Sequence, residues 1–168
     1  MKIDCRNIAS APGERLEFDY PLELSQVEWA GEFPFPEPGR AVGAVVHRLG
    51  ILELQARVCA AVHTCCARCL APVNRPVEAV VDYVLTQDAG QEDEESVVVV
   101  DGDVIELDDI LIPALLLELD MVYLCRPDCR GLCPHCGADL NGGDCSCQKP
   151  GDDRLAALQQ WLEKNGGS

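Results

Sequence analysis

The chain has 168 residues, is 48% hydrophobic but only 5% aromatic, and carries a formal net charge of −16. That length suits one compact domain, or one domain with a small appendage, on an aliphatic core. The charge excludes a body that generally coats nucleic acid, because phosphates repel it.

Met1–Ile8 and Arg15–Leu24 read as short strands with a turn at Pro12-Gly13. Residues 31–39 hold three prolines in nine positions and predict an irregular loop. Val42, Ala44 and Val46 suggest a third strand, with a turn at Gly50. Leu52, Leu54, Ala56, Val58, Ala60 and Val62 alternate with Glu53, Gln55, Arg57, Cys59, Ala61 and His63, a period of two that predicts a half-buried strand. Val77, Ala79, Val81, Tyr83 and Leu85 repeat the pattern. Together these three segments predict an antiparallel meander with Cys66–Cys69 at the tip between its last two strands.

Residues 88–109 hold ten Asp and Glu and no Lys or Arg. Within them Ala89–Ser96 reads as an acidic loop, and Val97–Val100 with Val104–Leu107 as a hairpin turned at Asp101-Gly102. Asp108 is placed to cap a helix through Leu119, with Pro113 in its early turns and Leu111, Ile112, Leu115, Leu116 and Leu119 facing the sheet. A last helix is predicted after Pro150-Gly151, capped by Asp152 or Asp153, with Leu155, Leu158, Trp161 and Leu162 as its stripe. The fold class expected is α+β: a mostly antiparallel, barrel-like β meander over 1–124 with one covering helix near 108–119, then a cysteine-rich segment and terminal helix over 125–168, all integrated as one domain.

Residues 1–25 contain no basic stretch leading into an apolar segment and a small-residue cleavage site, so no secretory signal is expected. The longest apolar run, Ile110 to Leu119, contains Glu118 and is far shorter than the ~20 residues of a membrane helix. A soluble, cytoplasmic protein without membrane contact follows as the expectation. In a reducing cytosol, eleven cysteines, an odd number, read as metal ligands in preference to disulfides.

Six of those cysteines fall between Cys125 and Cys147. Cys133-Pro-His-Cys136-Gly places two thiolates on one ion across a turn, with Gly137 free to close it in a left-handed conformation. Cys145-Ser-Cys147 follows the flexible Asn141-Gly-Gly and can face the first pair. Cys133, Cys136, Cys145 and Cys147 are thus one sensible zinc site. Cys125 and Cys129 remain, and Cys66 and Cys69 can complete a second, joining the sheet tip to the helix exit. The partition is open at this point: Cys65 could replace Cys66, and one site could use fewer thiolates. Thiolates alone, without an adjacent His or Glu base, suit closed structural sites over catalytic zinc. An iron–sulfur cluster is the minor alternative, and a Cys66–Cys69 redox pair lacks the helix N-terminus that would activate it. Arg68, Arg126 and Arg130 beside these motifs are candidate partner-binding residues. No phosphate loop, nucleophile elbow or dinucleotide fingerprint is present, so neither an enzyme nor a small-molecule substrate is expected.

Cys66-Ala-Arg-Cys69-Leu-Ala-Pro-Val at a strand end, and Cys129-Arg-Gly-Leu-Cys133-Pro-His-Cys136-Gly-Ala-Asp-Leu-Asn after a helix, resemble the YceD family of large ribosomal RNA subunit accumulation proteins. Asp120, where that family's pattern has proline, departs from it. The resemblance implies a first metal-binding block at Cys66 and Cys69 and a second at Cys125, Cys129, Cys133 and Cys136. It implies a non-enzymatic factor supporting the synthesis, processing or stability of large-subunit ribosomal RNA. Its partner would be ribosomal RNA or a basic large-subunit ribosomal protein. A zinc-stapled interaction adaptor with only an indirect ribosomal role is the competing expectation.

Overall fold

The computed structural model describes residues 1–6, 13–86, 96–100, 102, 104–147 and 161. Most of the acidic loop and, Trp161 apart, the expected C-terminal helix lie outside the described residues.

Five strands form one sheet in the order β2-β3-β4-β5-β6: β2 (Arg15–Leu22), β3 (Gly39–Arg48), β4 (Ile51–Cys65), β5 (Pro72–Thr86) and β6 (Val97–Val99). A separate two-stranded sheet pairs β1 (Lys2–Asp4) with β7 (Val104–Glu106). The helix α1 spans Asp108–Leu117. The protein is therefore mostly β, with one helix among the described residues.

The period-two reading of β4 holds. Leu54, Ala56, Val58 and Val62 lie in the core, opposite Tyr83, Val81, Ala79 and Arg75 of β5. Pairing of these two strands runs unbroken from Leu52↔Leu85 to Cys65↔Pro72, so the end of β4 is held rigidly where the cysteines begin. At the other end, Leu49 and Gly50 join β3 to β4 with φ of 53° and 86°, positive at both positions as a two-residue hairpin requires.

The third strand expected at Val42, Ala44 and Val46 is β3. Ala41 and Val45 lie in the main core; on the other face Ala44 and Val46 are also buried, while Val42 is exposed. From Ala41 to Val46 the strand is apolar or glycine on both faces, so alternation cannot choose between them; pairing does. Ala41, Gly43 and Val45 lie opposite Val58, Ala56 and Leu54, the core residues of β4. Gly43 is needed there because a Cβ would sit 2.3 Å from the Gln55 carbonyl oxygen and 2.8 Å from the Ala56 Cβ.

The expected hairpin at 97–107 is corrected. β6 runs parallel to β5, and β7 instead pairs antiparallel with β1. A run of valines has no polar face to fix its partner, so the free edges of β5 and β1 decide.

Asp108 is the first residue of α1; Leu107 occupies the cap position and makes no side-chain cap bond. The Asp108 carboxylate instead accepts the Tyr20 hydroxyl at 2.7 Å and pairs with the Met1 amino group at 2.9 Å, tying α1 to β2 and to β1. Partial burial opposes ionisation, but these two contacts outweigh it and hold the carboxyl below its ordinary range. Ile110, Leu111, Ala114 and Leu115 are the helix's buried residues; Ile112 and Leu116, expected in the core, are only partly buried. The chain leaves α1 through buried Leu119 and Tyr123, which bring it back to the sheet tip.

Candidate metal centre

The eight cysteines of the two motifs gather into two groups. Cys66, Cys69, Cys125 and Cys129 form one, and Cys133, Cys136, Cys145 and Cys147 the other, with all sulfurs of a group within 4.8 Å of one another. None is in a disulfide; all eleven cysteines are free. Cys65 is exposed and stands outside both groups.

In the first group Cys66 Sγ lies 3.8 Å from Cys129 Sγ, and Cys69 Sγ lies 3.6 Å from Cys125 Sγ. In the second, Cys133 Sγ lies 3.6 Å from Cys147 Sγ and 3.4 Å from Cys145 Sγ. Four thiolates about 2.3 Å from one ion would be separated by about 3.8 Å along each tetrahedral edge. Both groups are close to that size, so both could hold a metal ion.

Each group is seeded by a knuckle, and the two knuckles share one hydrogen-bond scheme. The Cys66 amide donates to the Ala71 carbonyl at 2.8 Å, and the Leu70 amide to the Cys66 carbonyl at 2.9 Å. The Cys133 amide donates to Ala138 at 2.8 Å, and the Gly137 amide to Cys133 at 2.9 Å. Both knuckles close through a left-handed residue: Gly137 at φ 72° in the second and Leu70 at φ 61° in the first.

Turned this way, the knuckles aim amides at sulfur. Backbone N–H groups of Cys125, Arg68 and Cys69 lower the Cys66 thiol to about 6 against the pull of burial. Amides of Cys136 and His135 do the same for Cys133, also to about 6. Burial first, then the neighbouring sulfur of Cys69, pushes Cys125 up to about 12, and sulfur neighbours led by Cys145 push Cys147 up to about 12. Each group thus pairs one readily formed thiolate with a thiol that holds its proton more firmly, Cys66 with Cys125 in the first and Cys133 with Cys147 in the second.

The first group is assembled by contacts that run across the chain. The Ala67 amide donates to the Tyr123 carbonyl at 2.9 Å, and Arg75 reaches the Leu124 carbonyl at 3.5 Å. Arg68 Nη1 donates to the Cys129 carbonyl at 2.7 Å, and its own carbonyl accepts the Leu132 amide at 3.0 Å. Gly131 packs so tightly here, at φ 75°, that a Cβ would meet the Arg68 oxygen at 2.8 Å. Arg68 therefore braces the first group from within. Arg126 pairs with Asp128, and Arg130 with Asp144, both at the surface.

One residue that sequence reasoning missed joins the groups. Asn141 belongs to the second motif, yet its Nδ2 lies 3.5 Å from Cys129 Sγ of the first, and its Oδ1 accepts the Arg130 amide at 2.8 Å. Its sequence signal was an asparagine that a turn beside glycines already accounted for.

The sequence model of the large ribosomal RNA subunit accumulation protein YceD matches residues 54–162, which span both groups. The chain belongs to the YceD family. Among curated relatives, an uncharacterized protein of Mycobacterium tuberculosis is 37% identical over 103 residues, covering 58% of this chain and 49% of the relative. An uncharacterized protein of Mycobacterium leprae is 37% identical over 81 residues, covering 45% of this chain and 36% of the relative. The chain thus aligns with about half the length, or less, of these relatives. No solved structure matches this chain significantly. The family's name links it to accumulation of the large ribosomal subunit, and it is not known as a family of enzymes. No helix among the described residues is long and apolar enough to cross a membrane.

Proposed function

We propose that this protein is a non-enzymatic, zinc-stapled factor of the cytoplasm that supports synthesis, processing or stability of large-subunit ribosomal RNA. The observation that carries the reading is the coincidence of the family match with two four-sulfur groups inside it. Each group would hold one zinc ion: Cys66, Cys69, Cys125 and Cys129 the first, Cys133, Cys136, Cys145 and Cys147 the second. When bound, the ion supplies folding energy and no reaction chemistry, because four thiolates leave no open position. A cluster of several irons would spread its thiolates beyond the edge of a single tetrahedron, and sulfurs that all lie within 4.8 Å favour one ion.

On this reading the β-rich part and the cysteine-rich segment are one unit, since the first group draws two ligands from each. The direct partner is ribosomal RNA or a basic large-subunit ribosomal protein, and the net charge of −16 favours the basic protein. Arg126 and Arg130 remain partner-binding candidates because exposed ion pairs such as theirs are worth only about 0–1 kcal/mol and exchange easily.

Depletion of the protein should lower assembled large subunits in a sucrose gradient; an unchanged profile refutes the ribosomal role. Mass spectrometry of the native protein should find two zinc ions, falling to one in Cys66→Ser and in Cys136→Ser. Iron, or a full complement in either variant, refutes the metal assignment.

A further inference from the structure

Three segments from distant parts of the sequence meet at Tyr123. The loop at 29–33 arrives through Trp29, whose ring stands edge-on to Tyr123 at 6.3 Å. The first knuckle arrives through the Ala67 amide on the Tyr123 carbonyl, and the loop after α1 folds back through the Asp120 amide on the Tyr123 hydroxyl at 3.2 Å. Each segment turns apolar side chains to water: Phe33 is 60% exposed, Leu70 66%, Met121 88% and Val122 61%. Apolar exposure concentrated around one point of a small protein marks a contact surface.

Leu70 occupies a left-handed position at φ 61°, where the second knuckle uses glycine, and exposed Leu49 does the same at φ 53° in the turn between β3 and β4. What sets Leu70 apart is its place on a segment that meets those of Phe33, Met121 and Val122 at Tyr123.

Charge decides what would cover the surface. Glu32 on the 29–33 loop and Glu118 and Asp120 on the loop after α1 are exposed. The arginines beside it are engaged by backbone, Arg68 by the Cys129 carbonyl and Arg75 by the Leu124 carbonyl. A second copy of a chain of charge −16 is repelled, and so is a phosphate backbone.

We propose that this face docks a lysine- and arginine-rich polypeptide segment carrying apolar anchors, which enter between Leu70, Phe33 and the Met121-Val122 loop while its cations meet the three carboxylates. The origin of that segment in a ribosomal protein rests on the function proposed above; its chemistry does not.

The test uses the full-length protein loaded with zinc and three fluorescent probes titrated separately: an amphipathic peptide of lysine and leucine, one of glutamate and leucine, and a single-stranded RNA. The lysine peptide should bind, and the other two should not. Leu70→Gly combined with Met121→Ser leaves every charge in place and should weaken binding about tenfold. Leu49→Ser, an exposed leucine at the far end of β4, should leave it unchanged. Equal binding by the Leu70/Met121 variant, equal weakening by Leu49→Ser, comparable binding of the RNA, or dimerisation through this face would each overturn the proposal. Metal content checks that the double variant is folded. Lost peptide binding with a normal ribosome profile in cells carrying that variant would uphold the docking face and count against the ribosomal origin of its partner. A profile disturbed by depletion, with no peptide binding, would do the reverse.

Discussion

The two sulfur groups are built from the same knuckle and differ in what that knuckle is tied to. The first spans 63 residues between Cys66 and Cys129, and those two cysteines are buried at 0% and 2% exposure. The second spans 14 residues between Cys133 and Cys147, and its Cys136 is exposed. An ion in the first would close a long loop joining the sheet to the segment beyond α1, whereas one in the second would fix only a local turn. Loop closure removes more freedom from the unfolded chain when the loop is long. The pKa pattern repeats in both groups, one thiol near 6 and one near 12, so acid–base chemistry does not separate them. Topology gives identical knuckles different duties.

The largest expected effect breaks the first group alone. Cys129→Ser removes a buried sulfur of the first group and, on the proposed metal assignment, should lower unfolding free energy by about 4–5 kcal/mol, the range of lost metal sites. Cys136→Ser should change the unfolding of the sheet by only about 0.5 kcal/mol, like an exposed substitution, while releasing its own ion. Chemical denaturation followed by far-UV circular dichroism, with metal content measured in parallel, checks both. Equal losses would show that the two groups form one cooperative unit.

Much of this contrast was legible in the sequence because thiolate spacing is a strong local signal. Cys133-x-x-Cys136-Gly announces its own turn, and the alternation from Leu52 to Val62 fixes where Cys66 must emerge. What failed was what depends on partners remote in sequence. The pairing of β6 and β7 is set by which strand edges lie free. Asp108 looked like a helix cap because its cross-chain partner, the Tyr20 hydroxyl, lies 88 residues away. Arg68 and Asn141 looked like a surface cation and a turn residue; only the folded chain shows both directed at Cys129.

Between the groups, Gly131 and Asn141 carry the coupling. Gly131→Ala places a Cβ against the Arg68 carbonyl at a left-handed position and should cost about 2 kcal/mol of stability, with loss of the Leu132–Arg68 hydrogen bond. Hydrogen exchange of the Leu132 amide reads that bond directly. Asn141→Ala removes a donor to Cys129 sulfur without touching a ligand. It should weaken metal at the first group about tenfold, the usual scale for such outer contacts, and leave the second group's affinity unchanged. Competition against a calibrated chelator separates the two affinities. Weakening of the second ion instead would place the role of Asn141 within its own loop.

A smaller effect than these is expected from exchanging the closing residues of the two knuckles. Leu70 and Gly137 share left-handed φ, and each donates its amide to the first cysteine of its knuckle at 2.9 Å. A side chain in that conformation costs about 1 kcal/mol, so Leu70→Gly should stabilise the first group by about that amount. Gly137→Leu should destabilise the second by a similar amount. Neither substitution alters a sulfur, so metal stoichiometry should stay at that of the parent protein, and thermal melts of the loaded protein should shift in opposite directions. If Leu70→Gly destabilises instead, the leucine is packing within the fold, and its exposure is then not evidence for a docking face. If it stabilises, the natural leucine is kept at a thermodynamic cost in the knuckle that anchors the whole fold, while the knuckle that anchors only a turn has the relaxed glycine.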